Sequence, residues 1–215
     1  VARVTVTGAE TLVAPISVAL AGAGVGHLDP VVNGLGRPAH LTGMIGQTAA
    51  GTRVAPIRSG TATLAVQVGP PPATAPTGRG QRTATLTIGI REATVLVGPL
   101  VGPGGSPCGR CLDLHRRDRD PRWPVLAAQL AAGSPGSCAL TTAIAGAAYA
   151  AEEALSYIDG RELRTAGAVV EIGRPGEARR RSWQPHPRCG CGRGRRRAGP
   201  PLRPATVSAP PPSLG

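Results

Sequence analysis

Four of the five cysteines in this chain of 215 residues form two close pairs that lie about eighty residues apart. Cys108 and Cys111 form a CxxC pattern in a loop rich in Pro and Gly, and Cys189 and Cys191 form a CxC pattern. Thiolates at these spacings can bind one Zn²⁺ with tetrahedral geometry, and four of them leave no open coordination position. The cysteines therefore predict a closed, structural zinc site that draws two distant parts of the chain together.

Two alternatives for the cysteines stay open at this point. A CxxC pair can carry out redox chemistry, although this pair does not obviously begin a helix that follows a strand, and the thiols can also be unpaired. The fifth cysteine, Cys138, lies in an apolar segment and is interpreted as a small core residue. His115 and His186 flank the two pairs and are interpreted as surface residues rather than ligands.

The composition excludes several kinds of chemistry. All 24 basic residues are Arg, so the chain can form neither a lysine Schiff base nor a phosphate loop with the usual lysine. It contains no Phe and only 2% aromatic residues, which excludes a platform for stacking nucleic-acid bases. No apolar run reaches the length of a membrane span. Close cysteine pairs fit reduced thiols in the cytoplasm better than a disulfide framework, so we expect a cytoplasmic protein.

The net charge of +12 is unevenly distributed. Residues 1–173 carry 14 Arg and 11 acidic residues (+3), whereas residues 174–215 carry 10 Arg and one acidic residue (+9). We predict that residues 192–215 form a disordered tail rich in Arg and Pro. Such a tail attracts nucleic acid without specificity, but the body of the chain has neither the charge nor the aromatic residues for nucleic-acid binding. The sequence begins with Val, so we expect a fragment or a nonstandard start codon.

The N-terminal segment predicts a βαβ unit. It contains a β-branched strand closed by Gly8, a helix, a glycine turn at 24–26 and a second strand. The predicted strands span 4–7, 27–32, 61–68, 83–90, 93–97 and 168–172, and the predicted helices span 11–22, 123–132 and 138–158. Residues 83–97 form either one long strand or a hairpin, 41–59 is ambiguous, 69–82 and 98–111 are predicted loops, and no element is expected after Gly173. The apolar face predicted for the last helix consists of Leu140, Ile144, Ala147, Ala148, Ala151, Leu155 and Ile158.

The turn after the first strand occupies the place of a dinucleotide-binding loop. Gly8 matches the first glycine of the G-x-G-x-x-G pattern, but Glu10 stands where the second glycine lets the backbone approach phosphate. A carboxylate at that position repels the phosphate that it should hold. Asp29, near the end of the second strand, is a candidate for binding a ribose hydroxyl, with a turn residue as the alternative. These residues argue against tight nucleotide binding.

Taken together, the motifs resemble the ThiF family, which includes adenylyltransferases akin to ubiquitin-activating enzymes. The resemblance covers residues 92–191 well and 1–60 fairly, and it rests on the segments GPLVGPGGSPCGRCLDLHRRDRDPRWPVLAAQL and RSWQPHPRCGC. The actinobacterial-type branch close to bacteriocin cyclodehydratase partner proteins is the most similar. The resemblance implies an α/β fold with a Rossmann-like sheet, Gly8 at the nucleotide turn, and a C-terminal lobe held by zinc. It also implies the zinc ligands Cys108, Cys111, Cys189 and Cys191.

Departures from the family pattern shape the functional expectation. The carboxylate expected at the end of the second strand falls on Val32, and the phosphate-binding Arg of the family has no clear counterpart, although Arg37, Arg53 or Arg58 could supply one. We therefore expect a ThiF-like domain over 1–191, with a degenerate nucleotide-binding half (1–68) and a zinc-containing half (83–191). It would adenylate weakly or not at all with ATP and Mg²⁺. It would bind a peptide or protein in peptide maturation, and a homodimer is expected from the resemblance. An active adenylyltransferase of a C-terminal carboxylate is the alternative.

Overall fold

The strands of the protein form a single sheet in the computed structural model, which describes residues 1–58, 60–69, 82–103, 107–132, 136–174 and 176–191. The predicted loop at 69–82 lies largely outside these residues, and the predicted tail at 192–215 lies wholly outside them. The strands are β1 (Arg3–Gly8), β2 (His27–Val32), β3 (Arg53–Val54), β4 (Leu64–Val68), β5 (Ala84–Arg91), β6 (Thr94–Val101), β7 (Ala168–Arg174) and β8 (Glu177–Ser182). The helices are α1 (Glu10–Gly22), α2 (Ala39–Thr48), α3 (Gly109–Arg119), α4 (Trp123–Ala132) and α5 (Leu140–Ile158).

Along this sheet, in the order β3-β2-β1-β4-β5-β6-β7-β8, the strand pairing changes once, from parallel to antiparallel. The strands from β3 to β5 are parallel, and those from β5 to β8 are antiparallel. The β1-α1-β2 unit predicted from the sequence is confirmed. Because parallel strands end together, the carboxyl ends of β1, β2 and β4 form one edge of the sheet. We call it the carboxyl edge, and we call the opposite one the amino edge.

Helices α1 and α5 pack together on one face of the sheet and enclose the main core. The strand sequences produce this face by alternation: Val4 and Val6 of β1 are fully buried, whereas Thr5 and Thr7 point to the other face and are half-buried. The same alternation continues in β4 and β5. One hydrophobic layer therefore runs from β1 to β7 beneath the two helices.

The apolar face predicted for α5 is partly wrong. Ala147 and Ala151 are buried as predicted, but Leu140 is 70% exposed and Ile144 is 52% exposed. The buried face consists mainly of small residues, and Glu153 is buried with them; the small residues include Ala143, Gly146, Ala147, Ala150, Ala151 and Ala154. A Cβ on Gly146 would lie 2.4 Å from Cγ1 of Val95 in β6, which shows how closely the helix approaches the sheet. Close approach selects small side chains, so the largest residues do not mark the buried face.

Three further expectations change with the structure. Residues 83–97 form a hairpin, with Glu92 and Ala93 at positive φ between β5 and β6, which settles the alternative left open by the sequence. The predicted loop at 98–111 is wrong at both ends, because β6 continues to Val101 and α3 begins at Gly109. Strand β8 was not expected, because three consecutive arginines obscured its pairing with β7. The ambiguous segment at 41–59 contains most of α2 and the short strand β3.

Among the helices of the described ranges, none is both long enough and apolar enough to cross a membrane.

Replacing Gly146 with Ala should destabilise the protein by about 1 kcal/mol or more. The gain in helix propensity of up to about 1 kcal/mol is outweighed by overpacking against Val95, which costs about 1–3 kcal/mol. Gly43 of α2 is the matched control, since a Cβ there meets no atom within 4 Å, and Gly43→Ala should stabilise the protein. Urea denaturation measures both effects, and equal stabilisation by the two variants would contradict the close packing of α5.

Candidate metal centre and nucleotide edge

The four cysteines of the two pairs meet in one buried cluster. Their sulfur atoms all lie within 4.8 Å of one another, and each residue is at most 7% exposed. The Sγ–Sγ distances are 4.0 Å for Cys108–Cys111, 3.7 Å for Cys108–Cys189 and 3.3 Å for Cys111–Cys191. The structure thus brings together all four ligands predicted from the sequence.

Local structure at each pair aims the thiols at a common point. Cys108 is the N-cap of α3, and its carbonyl accepts hydrogen bonds from the backbone N–H groups of Cys111 and Leu112. Residues three apart in a first helical turn face the same side, so Cys108 and Cys111 converge. In the second pair, a turn closed by Cys189 N–H donating to the His186 carbonyl leads into Cys191. Apolar side chains of β6, β7 and α3 surround the cluster, including Val101, Leu112 and Val169.

The geometry fits a tetrahedral metal site. A Zn–S bond of about 2.3 Å places tetrahedral sulfurs about 3.8 Å apart. The three Sγ–Sγ distances given above, 3.3–4.0 Å, are close to this value, and all the sulfurs lie within 4.8 Å of one another. Burial raises the pKa of Cys108 to about 12, and burial also raises the pKa of Cys111. Without a metal these thiols would stay protonated at neutral pH. The cluster could hold a metal ion, and zinc is the ion that its all-sulfur donor set favours.

The CxxC pair lies at the start of a helix, so the expectation that it does not begin one is wrong. The CxxC pair does begin a helix, α3, and this helix does follow a strand, β6. The raised pKa values now argue against redox chemistry, because a reactive CxxC cysteine needs a lowered pKa. The two additional thiols within contact distance also distinguish this cluster from an isolated redox pair.

His186 is a supporting residue of the cluster, and its assignment to the surface is wrong. It is 3% exposed, and its backbone N–H donates to Cys111 Sγ at 3.4 Å. Its ring accepts a hydrogen bond from Arg188 N–H at Nδ1 and donates from Nε2 to Asp118 of α3 at 2.9 Å. The hydrogen bond from His186 lowers the pKa of Asp118, and Arg188 also contacts that carboxylate. The sequence signal for this role was the PHP segment at 185–187, which one residue separates from Cys189.

The two other residues singled out near the cysteines lie outside the cluster. His115 is half-buried, and its Nε2 donates to the Gln184 carbonyl at 2.9 Å. Cys138 is half-buried and packs against the main core, as predicted for a small apolar residue. Neither contributes a sulfur or nitrogen atom to the four-thiol cluster.

Gly8 lies at the carboxyl edge, where the sequence places the nucleotide turn. Its φ is +131°, and a Cβ there would lie 2.0 Å from the Val68 carbonyl oxygen of β4. Its own carbonyl accepts a hydrogen bond from Asn33 N–H. The close approach of two strands therefore requires glycine at this position for packing alone, and its nucleotide role stays a prediction.

Glu10 occupies the first turn of α1, two residues after Gly8. Its carboxylate lies 2.5 Å from Nε2 of His40 in α2. A helix N-terminus carries partial positive charge from its free N–H groups and is the usual place for a phosphate. Here the protein's own carboxylate stands at that place.

Asp29 lies inside β2 and is buried, so it is not a turn residue. One carboxylate oxygen accepts a hydrogen bond from Arg37 Nε at 2.6 Å, and the other accepts one from Ile57 N–H at 2.8 Å. Both oxygens therefore hold neighbouring segments of the chain. Binding of a ribose hydroxyl by Asp29 stays a prediction, and it would compete with these two contacts.

The three arginines considered as a phosphate clamp separate into two groups. Arg37 follows β2 at the carboxyl edge and pairs with Asp29. Arg53 begins β3 and lines a cavity together with Arg58 and with Arg3, which begins β1. Arg53 and Arg58 thus lie at the amino edge, on the far side of the sheet from Gly8, and cannot clamp a phosphate at the nucleotide turn.

No protein-family model matches the sequence, and no curated protein matches it. Solved structures do resemble the fold. E. coli MccB with MccA aligns with a TM-score of 0.62 at 14% identity, over 89% of this chain and 66% of that chain. E. coli MccB with ATP gives a TM-score of 0.62 at 14% identity, over 90% and 67%. PaaA gives a TM-score of 0.56 at 13% identity, over 84% and 72%.

Another of these structures is described as the microcin C7 biosynthetic enzyme MccB in complex with N-formylated MccA. The chain spans about two thirds of the length of MccB. At 13–14% identity the likeness shows the fold alone, a mixed α/β fold with one central sheet, which agrees with the α/β fold expected from the sequence.

The purified protein should contain about one zinc ion per chain. Cys108→Ser and Cys189→Ser should each lower the zinc content to near zero and lower the melting temperature, because three thiolates no longer close the site. Cys138→Ser is the matched control and should retain zinc, since Cys138 lies outside the cluster. Elemental analysis and thermal denaturation check the prediction. Metal-free protein with five reactive thiols would contradict it.

Proposed function

We propose that this chain is a zinc-stabilised, ThiF-like protein that binds an extended peptide and adenylates weakly or not at all. The observation that carries the proposal is Glu10, which places a carboxylate and its partner His40 at the first turn of α1. The peptide component is supported by the fold shared with MccB, whose structures include MccA. The proposed zinc ion has a structural role, because four thiolates leave no position for a substrate.

Electrostatics at the carboxyl edge disfavours a nucleotide. Phosphate would have to approach the N–H groups at the start of α1 past the Glu10 carboxylate, and like charges at short range repel. Asp29, which could bind ribose, already accepts hydrogen bonds from Arg37 and Ile57. Arg37 is thereby engaged as well, so a clamp for the phosphates would require breaking a partly buried ion pair.

Titration with Mg-ATP should show no saturable binding below about 1 mM. Glu10→Gln removes the negative charge without removing the helix, so it should raise the affinity for ATP. Glu177→Gln is the matched control, since Glu177 is exposed at the start of β8, which lies five strands away from β1 in the sheet. Isothermal titration calorimetry measures the binding. Micromolar affinity in the unmodified protein, or exchange of pyrophosphate into ATP, would establish the alternative of an active adenylyltransferase.

Strand β8 is the edge strand that is proposed to bind the peptide. It is the last strand of the sheet among the described residues, and five of its six residues are exposed. An extended peptide can add to such an edge through backbone hydrogen bonds. Arg179, Arg180 and Arg181 give the edge a positive charge, which discourages pairing with neutral chains and favours an acidic segment.

The arginines of β8 differ in the contacts that their side chains form with the rest of the protein. Arg180 Nε donates to the Arg164 carbonyl at 2.8 Å, and Arg181 pairs with Glu171 of β7 at 2.8 Å. Arg179 is exposed and forms no ion pair with a described residue. It is therefore the arginine most available to an incoming carboxylate.

A fluorescein-labelled peptide of ten residues that alternates Glu and Thr should bind the protein in a polarisation assay. Arg179→Glu should weaken binding by about tenfold, because it places like charges together. Arg117→Glu is the matched control, since Arg117 is an exposed arginine of α3 away from β8. Equal losses in both variants would show general charge attraction and would contradict the assignment to β8.

A homodimer, the domain division and the cytoplasmic location stay predictions.

A further inference from the structure

We propose that the amino edge of the sheet contains a binding pocket for a small phosphate-bearing anion. The pocket has a volume of about 460 Å³, and its lining includes Arg3, His27, Arg53 and Arg58. The lining contains no acidic residue. This site is distinct from the nucleotide turn at the carboxyl edge and does not depend on the proposed function.

Strand register builds the pocket. In the parallel pairing, His27 at the start of β2 lies opposite Arg3 at the start of β1 and opposite Arg53 at the start of β3. Neighbouring strands are about 4.8 Å apart, so three basic residues form one row within about 10 Å. A row at equivalent positions of three adjacent strands points its side chains to the same face of the sheet.

Hydrogen bonds fix the walls of the pocket. Arg3 is held at its backbone, which donates to Thr63 Oγ1 and accepts from Thr63 N–H. His27 Nε2 donates to the Ala55 carbonyl at 3.1 Å. Thr61 donates from both its backbone N–H and its hydroxyl to the Arg58 carbonyl. The basic groups are therefore presented by ordered backbone.

Within the described ranges, no acidic side chain pairs with the arginines of the pocket, and one buried guanidinium nitrogen among them has no hydrogen-bond acceptor. Nε of Arg3 is buried and has no hydrogen-bond partner within the described part of the chain. Among the same residues, no ion pair involves Arg3, Arg53 or Arg58. Asp29 follows His27 by two residues in β2, and both of its carboxylate oxygens already accept hydrogen bonds. A buried guanidinium nitrogen without an acceptor indicates that a ligand supplies one.

The charge density selects the ligand class. Three guanidinium groups and an imidazole around about 460 Å³ are best balanced by several negative charges in a small volume. A diphosphate group has this property, and its oxygens match the fork of N–H donors that arginine presents. We therefore assign the pocket to a ligand that carries a diphosphate or an equivalent cluster of phosphates.

Pyrophosphate is the probe for calorimetry at low ionic strength, with citrate as a carboxylate comparison. Pyrophosphate should bind with one site per chain. Arg53→Ala and Arg3→Met should each weaken it by about tenfold, the loss typical of one charge-assisted contact. Arg174→Ala is the matched control, since Arg174 is exposed at the end of β7 and outside the pocket. It should change the affinity less than about twofold.

Several outcomes would overturn the assignment. These are no binding of pyrophosphate at millimolar concentration, binding of citrate alone, or an equal loss in Arg174→Ala. Arg53 is exposed, so Arg53→Ala should fold even if Arg3→Met does not, and circular dichroism checks both variants. Tighter binding of pyrophosphate in Glu10→Gln, with no change in Arg53→Ala, would place pyrophosphate at the carboxyl edge and would also overturn the proposal.

Discussion

The convergence of four buried thiols is the contact on which the C-terminal half of the structure depends. The segment from Trp183 to Cys191 contains little regular structure, yet it is held against α3 and the sheet by Cys189, Cys191 and His186. Buried thiols gain little from one another, and burial raises the pKa of Cys108 and Cys111. A metal ion changes this balance, because it replaces four protons with four strong bonds and closes a loop of about eighty residues.

The two ends of the parallel strands have opposite electrostatic character. The carboxyl edge, where a nucleotide binds in folds of this type, carries Glu10 and the engaged pair of Asp29 and Arg37. The amino edge carries a row of basic residues without acidic partners, which includes Arg3 and Arg53. A shared fold positions the strand ends, but the side chains at those ends determine which ligand charge can be accommodated.

The parts of the fold governed by local patterns could be predicted from the sequence. The bounds of β2 and α4 agree with the prediction, because a glycine turn at 24–26 precedes β2 and Pro121 precedes α4. The four thiols could be predicted because metal chelation imposes short spacings. The buried face of α5 could not, since close packing selects small residues that carry no strong pattern. The position of Arg53 depends on strand register, and the burial of His186 depends on contacts between distant residues. Local sequence patterns carry no information about either.

The long separation of the cysteine pairs has a consequence for synthesis of the protein. While the chain leaves the ribosome, α3 and its two thiols emerge about eighty residues before Cys189 and Cys191. During that interval the apolar side chains of β6 and β7 in this cluster cannot pack against the C-terminal segment. If the cluster holds a metal ion, its capture by all four thiols would therefore be one of the last steps of folding, and chains that lack the metal would stay longer in a state that aggregates.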